Sequence, residues 1–351
     1  MIFQVISSDN PFWDQCFNIL ERNQKDVFYT SGFAQLCQKT INAQDKVQCA
    51  IWNDEQGNLL MYPFVLRNLC TFIDDPNVDG FYDTVSLYGR GGIVGQAEDV
   101  VFKLFYRELE NYFSDKNVFC SFDRFHPVIG NHDLIPHQGK AMEIGGFVIA
   151  DLQRDMDEIN RSFKSSVRKD VKKAIRNGVE WFCENSIDHL DDFLAIYYKT
   201  MDRNNASDFH YFPEEYFRNL ETLLKEDFLF FYARHEGTIV SCELVLLHGD
   251  YSHSFLGGTR HEALPLAANP LLKKAIIETT HKMGCRYYLL GGGHQAEDGI
   301  FKYKKAYAPE GVYPSFIGGT IWNNERYQKL KLELSEAGHQ IISSRFQFYD
   351  I

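Results

Sequence analysis

An apolar run that ends in three glycines and passes at once into lysines and aromatic rings is a place where an anion could be held. The stretch from Tyr287 to Pro309 reads YYLLGGGHQAEDGIFKYKKAYAP. Glycines directly after a strand let the backbone approach a ligand and leave N–H groups able to donate, and Lys302, Lys304 and Lys305 bring cations to the same place. That combination suits an anion or a developing oxyanion. A plain glycine turn flanked by solvated lysines reads the same way, so the stretch needs support from the rest of the chain.

A second group of candidate residues lies in EINRSFKSSVRKDVKKAIR, which runs from Glu158 to Arg176 and is followed by Asn177-Gly178, a helix C-terminal signal. The spacing predicts one helix with Phe163, Val167, Val171, Ala174 and Ile175 on an apolar face. Arg161, Lys164, Arg168, Lys172 and Arg176 fall on the opposite face. Seven cations against a single acid, Asp170, occupy positions 161 to 176. A solvated helix face carries such charge too; in a chain this acidic, the concentration points to phosphate binding.

The elements that must position these residues read as a duplicated α+β unit. In the first half, Lys46 to Trp52 and Leu59 to Leu66 are strands joined by the turn cluster NDEQGN, and Thr84 to Leu87 leads into Tyr88-Gly89-Arg90-Gly91-Gly92. A helix at 97 to 113 and a strand at Val118 to Phe122 follow. In the second half, Phe228 to Ala233 and Ile239 to Leu247 are paired strands around RHEG, and a strand at Tyr251 to Leu256 ends at Gly257-Gly258. A helix from Pro270 to Met283 and a strand from Arg286 to Leu290 then deliver the chain to Gly291.

Length and composition set the class. The 351 residues suffice for about two domains, and 44% hydrophobic with 24% charged residues is ordinary for a soluble globular chain. Aromatics at 15% favour strand-rich cores and clefts for organic ligands. The formal charge of -12 excludes a general nucleic-acid coat, so a polyanion would have to meet a local basic island. The eight cysteines form no CxxC pair and read as reduced, buried thiols. No signal peptide and no run of eighteen apolar residues is present, so a cytoplasmic chain without an integral membrane segment is expected.

Several chemistries lack their motifs. GxSxG, HExxH, a Walker A sequence and a dinucleotide GxGxxG after a strand are all absent, which leaves hydrolase, zincin, P-loop and Rossmann readings unsupported. His126, His132, Asp133 and His137 match no standard metal spacing, and no metal site is expected. His253 and His294 read as hydrogen-bonded strand or loop histidines rather than bases.

The phrases SVRKDVKKAIRNGV, NPLLKKAIIETTHKMGCRYYLLGGG and, above all, DGIFKYKKAYAPEGVYPSFIGGTIW resemble the second half of the FemAB family. These are peptidoglycan bridge-forming aminoacyltransferases built from two GNAT (N-acyltransferase) domains. In the first half, YGRGG resembles the family's YGYGGP, with Arg90 in place of the second Tyr and Ile93 in place of Pro. The resemblance implies an α+β chain of two tandem GNAT-like domains, 1–150 on the acceptor side and 151–351 on the transfer side. Each is expected to be a mixed, mostly antiparallel sheet flanked by helices.

The family's aromatic-Lys-x-x-aromatic element falls on Tyr303-Lys304-Lys305-Ala306-Tyr307, which makes Lys304 the functional lysine, with Lys302 as a rival register. The resemblance thus implies that Lys304, Gly292 and Gly293 are catalytic. Asp83, Tyr88, Gly89, Arg90, Arg168, Lys172, Asn269, Lys302, Tyr303 and Tyr307 form the substrate-binding set. The helical arm that some members insert, and to which a tRNA-clamping role is given, is absent from the short connection between Asn185 and Asp227.

The implied reaction is acyl or aminoacyl transfer to a primary amine on a peptidoglycan peptide or amino sugar, borne on a nucleotide or lipid carrier. No permanently bound cofactor is expected; the donor is aminoacyl-tRNA or acyl-CoA. The usual GNAT coenzyme A loop has no complete match, because Arg234-His-Glu-Gly-Thr-Ile reads as a hairpin turn. Two alternatives stand beside this reading: an acyl-CoA-dependent sugar N-acetyltransferase of surface polysaccharide synthesis, and a catalytically silent tandem GNAT that only binds.

Overall fold

The computed structural model describes residues 3–293, 298–343 and 345–349. The chain divides into two units. Unit 1 comprises Met1–Gln24, Phe28–Ile144 and Ser315–Ile351, and unit 2 comprises Lys25–Val27 and Gly145–Pro314.

Unit 1 starts with β1 (Phe3–Ser7), α1 (Phe12–Ile19), α2 (Ser31–Lys39), β2 (Lys46–Asn53) and β3 (Leu59–Asn68). It continues through β4 (Tyr82–Val85), β5 (Val94–Gln96), α3 (Asp99–Asp115) and β6 (Val118–Arg124). The strand β7 (Gly139–Asp151) begins in unit 1 and passes into unit 2 at Gly145.

Unit 2 then contains α4 (Met156–Ser162), α5 (Ser165–Arg176), β8 (Glu180–Glu184), α6 (Leu190–Arg203), α7 (Glu214–Arg218) and α8 (Leu220–Leu223). After these come β9 (Phe228–His235), β10 (Thr238–His248), β11 (Tyr251–Thr259), α9 (Ala268–Lys282), β12 (Tyr287–Gly291) and α10 (Gly299–Lys305). The strand β13 (Val312–Ile321) returns to unit 1 at Ser315, and α11 (Asn324–Glu336) follows.

The local reasons are legible. The β2–β3 hairpin closes because Asp54 Oδ1 accepts from the backbone N–H groups of Gln56 and Asn58, each at 3.0 Å, which sets the register Asn53↔Leu59. Helix α3 repeats apolar residues every fourth position, and Val101, Phe105, Leu109 and Phe113 are all buried against Phe64 and Leu66 of β3. Burial of each such side chain is worth about 1.5–3 kcal/mol. α9 is buried more fully, with Leu271, Leu272, Lys273, Ala275, Ile276 and Ile277 all inside unit 2.

Both units follow one plan. Strands pair in the order β1-β2-β3-β4-β6-β13 in unit 1 and β8-β9-β10-β11-β12-β7 in unit 2. In each, a helix carries the chain from a strand to its parallel neighbour, α3 from β4 to β6 and α9 from β11 to β12. In each, the last strand is antiparallel, β13 on β6 and β7 on β12. The expected α+β fold with a repeated unit is present.

Three expectations are corrected. The division at 150/151 gives way to units that borrow their last strands out of chain order: residues 145–150 belong to unit 2 and the segment from Ser315 belongs to unit 1. The physical reason is the pairing of β13 with β6, together with the packing of Leu330, Leu334 and Phe348 against Leu69 and Phe119. The single helix at 158–176 is two helices, α4 and α5, because Phe163 and Lys164 are extended (ψ 142° and 150°). Phe163 is buried, Ile175 is 60% exposed, and the apolar face of α5 is Val167, Val171 and Ala174. Of the cysteines, Cys70 and Cys183 are exposed and the other six are buried.

Candidate functional site

In unit 2, β12 ends at Gly291 with φ +98°, a conformation that glycine adopts without the strain a side chain would bring. A Cβ there would lie 2.8 Å from Lys304 Nζ. The positive φ favours glycine, and a side chain there would displace the flexible end of Lys304. Lys304 Nζ donates to the Gly292 carbonyl at 2.8 Å, so an ammonium is held on the glycine segment. Asp298 caps α10 by accepting from the Phe301 N–H at 2.7 Å, which orients the helix that carries Lys304. His294 lies outside the described residues.

The two rings of the expected motif also meet. The Tyr307 hydroxyl donates to the Tyr303 hydroxyl at 3.0 Å, and the rings pack edge to face at 5.3 Å. Tyr307 is 1% exposed and Tyr303 half-buried. Burial, first of all, raises both phenols above their usual range; the nearby Glu243 charge adds to the rise. Tyr307 packs on Phe163, and the Lys164 N–H donates to the Ala306 carbonyl at 2.8 Å. The break between α4 and α5 is thus fastened to the end of α10.

Beneath lies a network that sequence reasoning missed. Lys273 Nζ of α9 donates to Glu243 Oε1 and Oε2 of β10 at 2.5 and 2.7 Å, to Ser254 Oγ of β11 at 2.7 Å, and to the Tyr288 hydroxyl of β12 at 3.1 Å. The Tyr288 hydroxyl in turn donates to Glu243 Oε1 at 2.6 Å. Burial pulls the Lys273 ammonium down and Glu243 opposes it. A Glu in the middle of IVSCELVLL and a Lys within LLKKAII were the available signals, since neither charge belongs in an apolar run unless it is paired.

The remaining candidates of unit 2 are placed differently. Lys302 is exposed. Arg168 turns its Nη1 back onto the carbonyls of Arg161 (2.8 Å) and Phe163, where it caps the end of α4. Lys172 is exposed on α5, and Asn269 is half-buried in the first turn of α9. His253 is the hydrogen-bonded strand histidine expected, with Nε2 2.7 Å from Asp26 Oδ2.

In unit 1, the Tyr88–Gly92 segment is a tight turn. Gly89 has φ +101°, and a Cβ there would lie 2.4 Å from the Phe28 ring. The Gly91 N–H donates to the Arg124 carbonyl, and the Gly91 carbonyl accepts from the Tyr29 hydroxyl and from Asn131 Nδ2, each at 2.8 Å. Tyr88 and Arg90 are half-buried, and Arg90 Nη1 reaches the Phe125 carbonyl at 3.4 Å. Burial raises the Tyr88 phenol, with Arg124 opposing.

Asp83 is corrected. Its carboxylate is fully buried and consumed by Arg67 (2.9 and 2.7 Å), Gln347 (2.7 Å) and Tyr349 (2.8 Å), so it ties the C-terminal segment into unit 1 rather than facing a ligand. No helix among the described residues is long and apolar enough to cross a membrane.

Comparison with known proteins agrees with this layout. Residues 161–305 match the acetyltransferase (GNAT) domain family. Over 156 residues the chain is 24% identical to the UDP-N-acetylmuramoylpentapeptide-lysine N(6)-alanyltransferase of Weissella viridescens; the match spans 42% of this chain and less than half, 44%, of that relative. The fold is similar to the crystal structure of FemX, with a TM-score of 0.71 at 13% identity over 94% of this chain and 100% of that one. It is also similar to a tandem GNAT protein from the clavulanic acid biosynthesis pathway, with a TM-score of 0.52 at 10% identity over 92% and 98%. The region that matches the GNAT domain ends on α10, and the fold around it is similar to that of FemX.

Proposed function

We propose that this chain is an N-acyltransferase that moves an aminoacyl or acyl group onto a primary amine of a cell-envelope precursor. The observation that carries the reading is the Lys304 ammonium held on Gly292 at the end of β12, within the region that matches a GNAT domain. The related alanyltransferase is named for the N6 amine of a lysine in a UDP-muramoyl pentapeptide, and a lysine-type amine on such a carrier is the acceptor assigned here.

In this reaction the neutral amine adds its lone pair to the acyl carbonyl carbon, forming a C–N bond and an oxyanion. Collapse expels the ribose oxygen of an aminoacyl ester, or the sulfur of an acyl thioester, and the amine proton passes to that leaving atom. Lys304 and the N–H groups of Gly292 and Gly293 stabilise the oxyanion. Tyr303 and Tyr307, neutral at physiological pH, offer a hydroxyl path for the proton. The donor is aminoacyl-tRNA or acyl-CoA. The exposed cations of α5, Lys172 among them, provide a phosphate-facing surface for either. Tyr88, Gly89 and Arg90 hold the acceptor, with Arg90 on a phosphate or carboxylate.

The test is Lys304→Ala beside Lys302→Ala. Loss of transition-state charge stabilisation should reduce kcat/KM by about a hundredfold in the first variant and leave the second near wild type. Full activity in a folded Lys304→Ala protein would overturn the assignment.

A further inference from the structure

One carboxylate of unit 1 lacks the partners that its burial calls for. Asp123, on β6, is 7% exposed; its Oδ2 accepts from the Tyr62 hydroxyl at 3.0 Å, while Oδ1 has no hydrogen-bond partner. The Tyr106 hydroxyl, carried by α3, is buried and unpartnered as well. Both residues line the same cavity, of about 20 Å³, whose walls include Tyr62, Phe125 and Trp322 and, among the described residues, no Lys, Arg or His. Burial pushes the Asp123 carboxyl up to about 7, with the Tyr62 hydroxyl and the Gly92 amide opposing. The titratable groups facing it are Tyr62 and Tyr106, both phenols raised by burial and by Asp123 itself.

A buried acceptor with no donor and a buried charge with no counter-charge are both costly. We propose that this cavity is a binding site for the head of a primary ammonium. About 10–15 Å³ on this measure holds one water, so the space admits one group of that size. Water would satisfy Oδ1 and the Tyr106 hydroxyl but would leave the carboxylate charge uncompensated. An –NH3+ group supplies N–H donors to both acceptors and the missing positive charge, and aromatic walls attract cations. Tyr106, Leu134, Ile135 and Trp322 are half-buried at the margin, which suits a methylene stem leading outward. Gly92, in the same wall, continues the Tyr88–Gly92 turn, yet the inference does not depend on the transfer reaction.

Thermal unfolding of the full chain at pH 8, where Asp123 is ionised, tests it with methylammonium, tetramethylammonium and potassium chlorides at equal ionic strength. Methylammonium should raise Tm above the potassium value, and tetramethylammonium, too large for the space, should not. Asp123→Asn should abolish the methylammonium shift. Tyr106→Phe, which keeps the ring and the carboxylate, should weaken methylammonium binding about tenfold and remains readable if the Asp123 variant fails to fold. Equal shifts with all three salts in every protein would mean that only water occupies the cavity. A potassium shift as large as that of methylammonium, lost in Asp123→Asn, would assign the site to a bare metal cation. Either result overturns the proposal.

Discussion

Lys273 and Glu243 are two opposite charges taken out of water inside unit 2, and they persist because Ser254 and Tyr288 satisfy the remaining donors and acceptors. Removing one member leaves an uncompensated buried charge. Lys273→Ala should therefore cost about 3–5 kcal/mol, whereas Lys273→Met combined with Glu243→Leu should recover most of that loss. Chemical denaturation of the three proteins checks it; a single variant as stable as wild type would contradict the described burial. Asp123 makes a second prediction at this scale. Its carboxyl keeps a proton up to about pH 7 in the folded chain but releases it near 3.8 when unfolded, so the folded state binds more protons between these values. Stability should fall as pH rises from about 4 to about 7, by up to about 4 kcal/mol, and then level off. In Asp123→Asn the slope over that window should shrink, as Tm measured against pH would record.

Among elements, the break between α4 and α5 separates what sequence can and cannot reveal. The 3.6 periodicity of Val167, Val171 and Ala174 was legible and correct, because it depends only on which residues face a core. The break at Phe163 was not legible. It arises from contacts made at a distance in sequence, namely Phe163 on Tyr307, Lys164 on the Ala306 carbonyl and Arg168 folded back on α4. For the same reason Arg168 and Lys172, equivalent in charge pattern, differ in role. Arg168→Glu should cost about 1 kcal/mol through the lost carbonyl contacts, while Lys172→Glu should leave Tm unchanged. If α5 binds tRNA, Lys172→Glu should weaken that binding and flatten its salt dependence. Identical Tm losses for the two variants would contradict the capping role. The glycines were legible as a place of close approach, since Gly291 does meet Lys304. Asp83 misled because nothing in YDTV foretells its partners, Gln347 and Tyr349, more than 260 residues away.

At the scale of the whole molecule, the duplication was readable because strand, helix and turn patterns repeat even where residues do not. The borrowed last strands were not, because β13 and β7 obtain their places from pairing partners far along the chain. Unit 1 accordingly depends on the C-terminal segment: removing residues 315–351 takes away most of β13, all of α11 and two of the hydrogen-bond partners of Asp83. Amides of β6 should then lose their hydrogen-exchange protection, and retained protection would contradict the assignment of that segment to unit 1. The central claim, that this fold transfers an acyl group to a primary amine, is tested most directly by intact mass of the acceptor. A UDP-muramoyl pentapeptide bearing a lysine should gain one acyl group when incubated with the wild-type chain and either alanyl-tRNA or acetyl-CoA. The same acceptor with its lysine N6 blocked should gain nothing. Acylation of the blocked acceptor, or no acylation of the free one with either donor, would contradict the account.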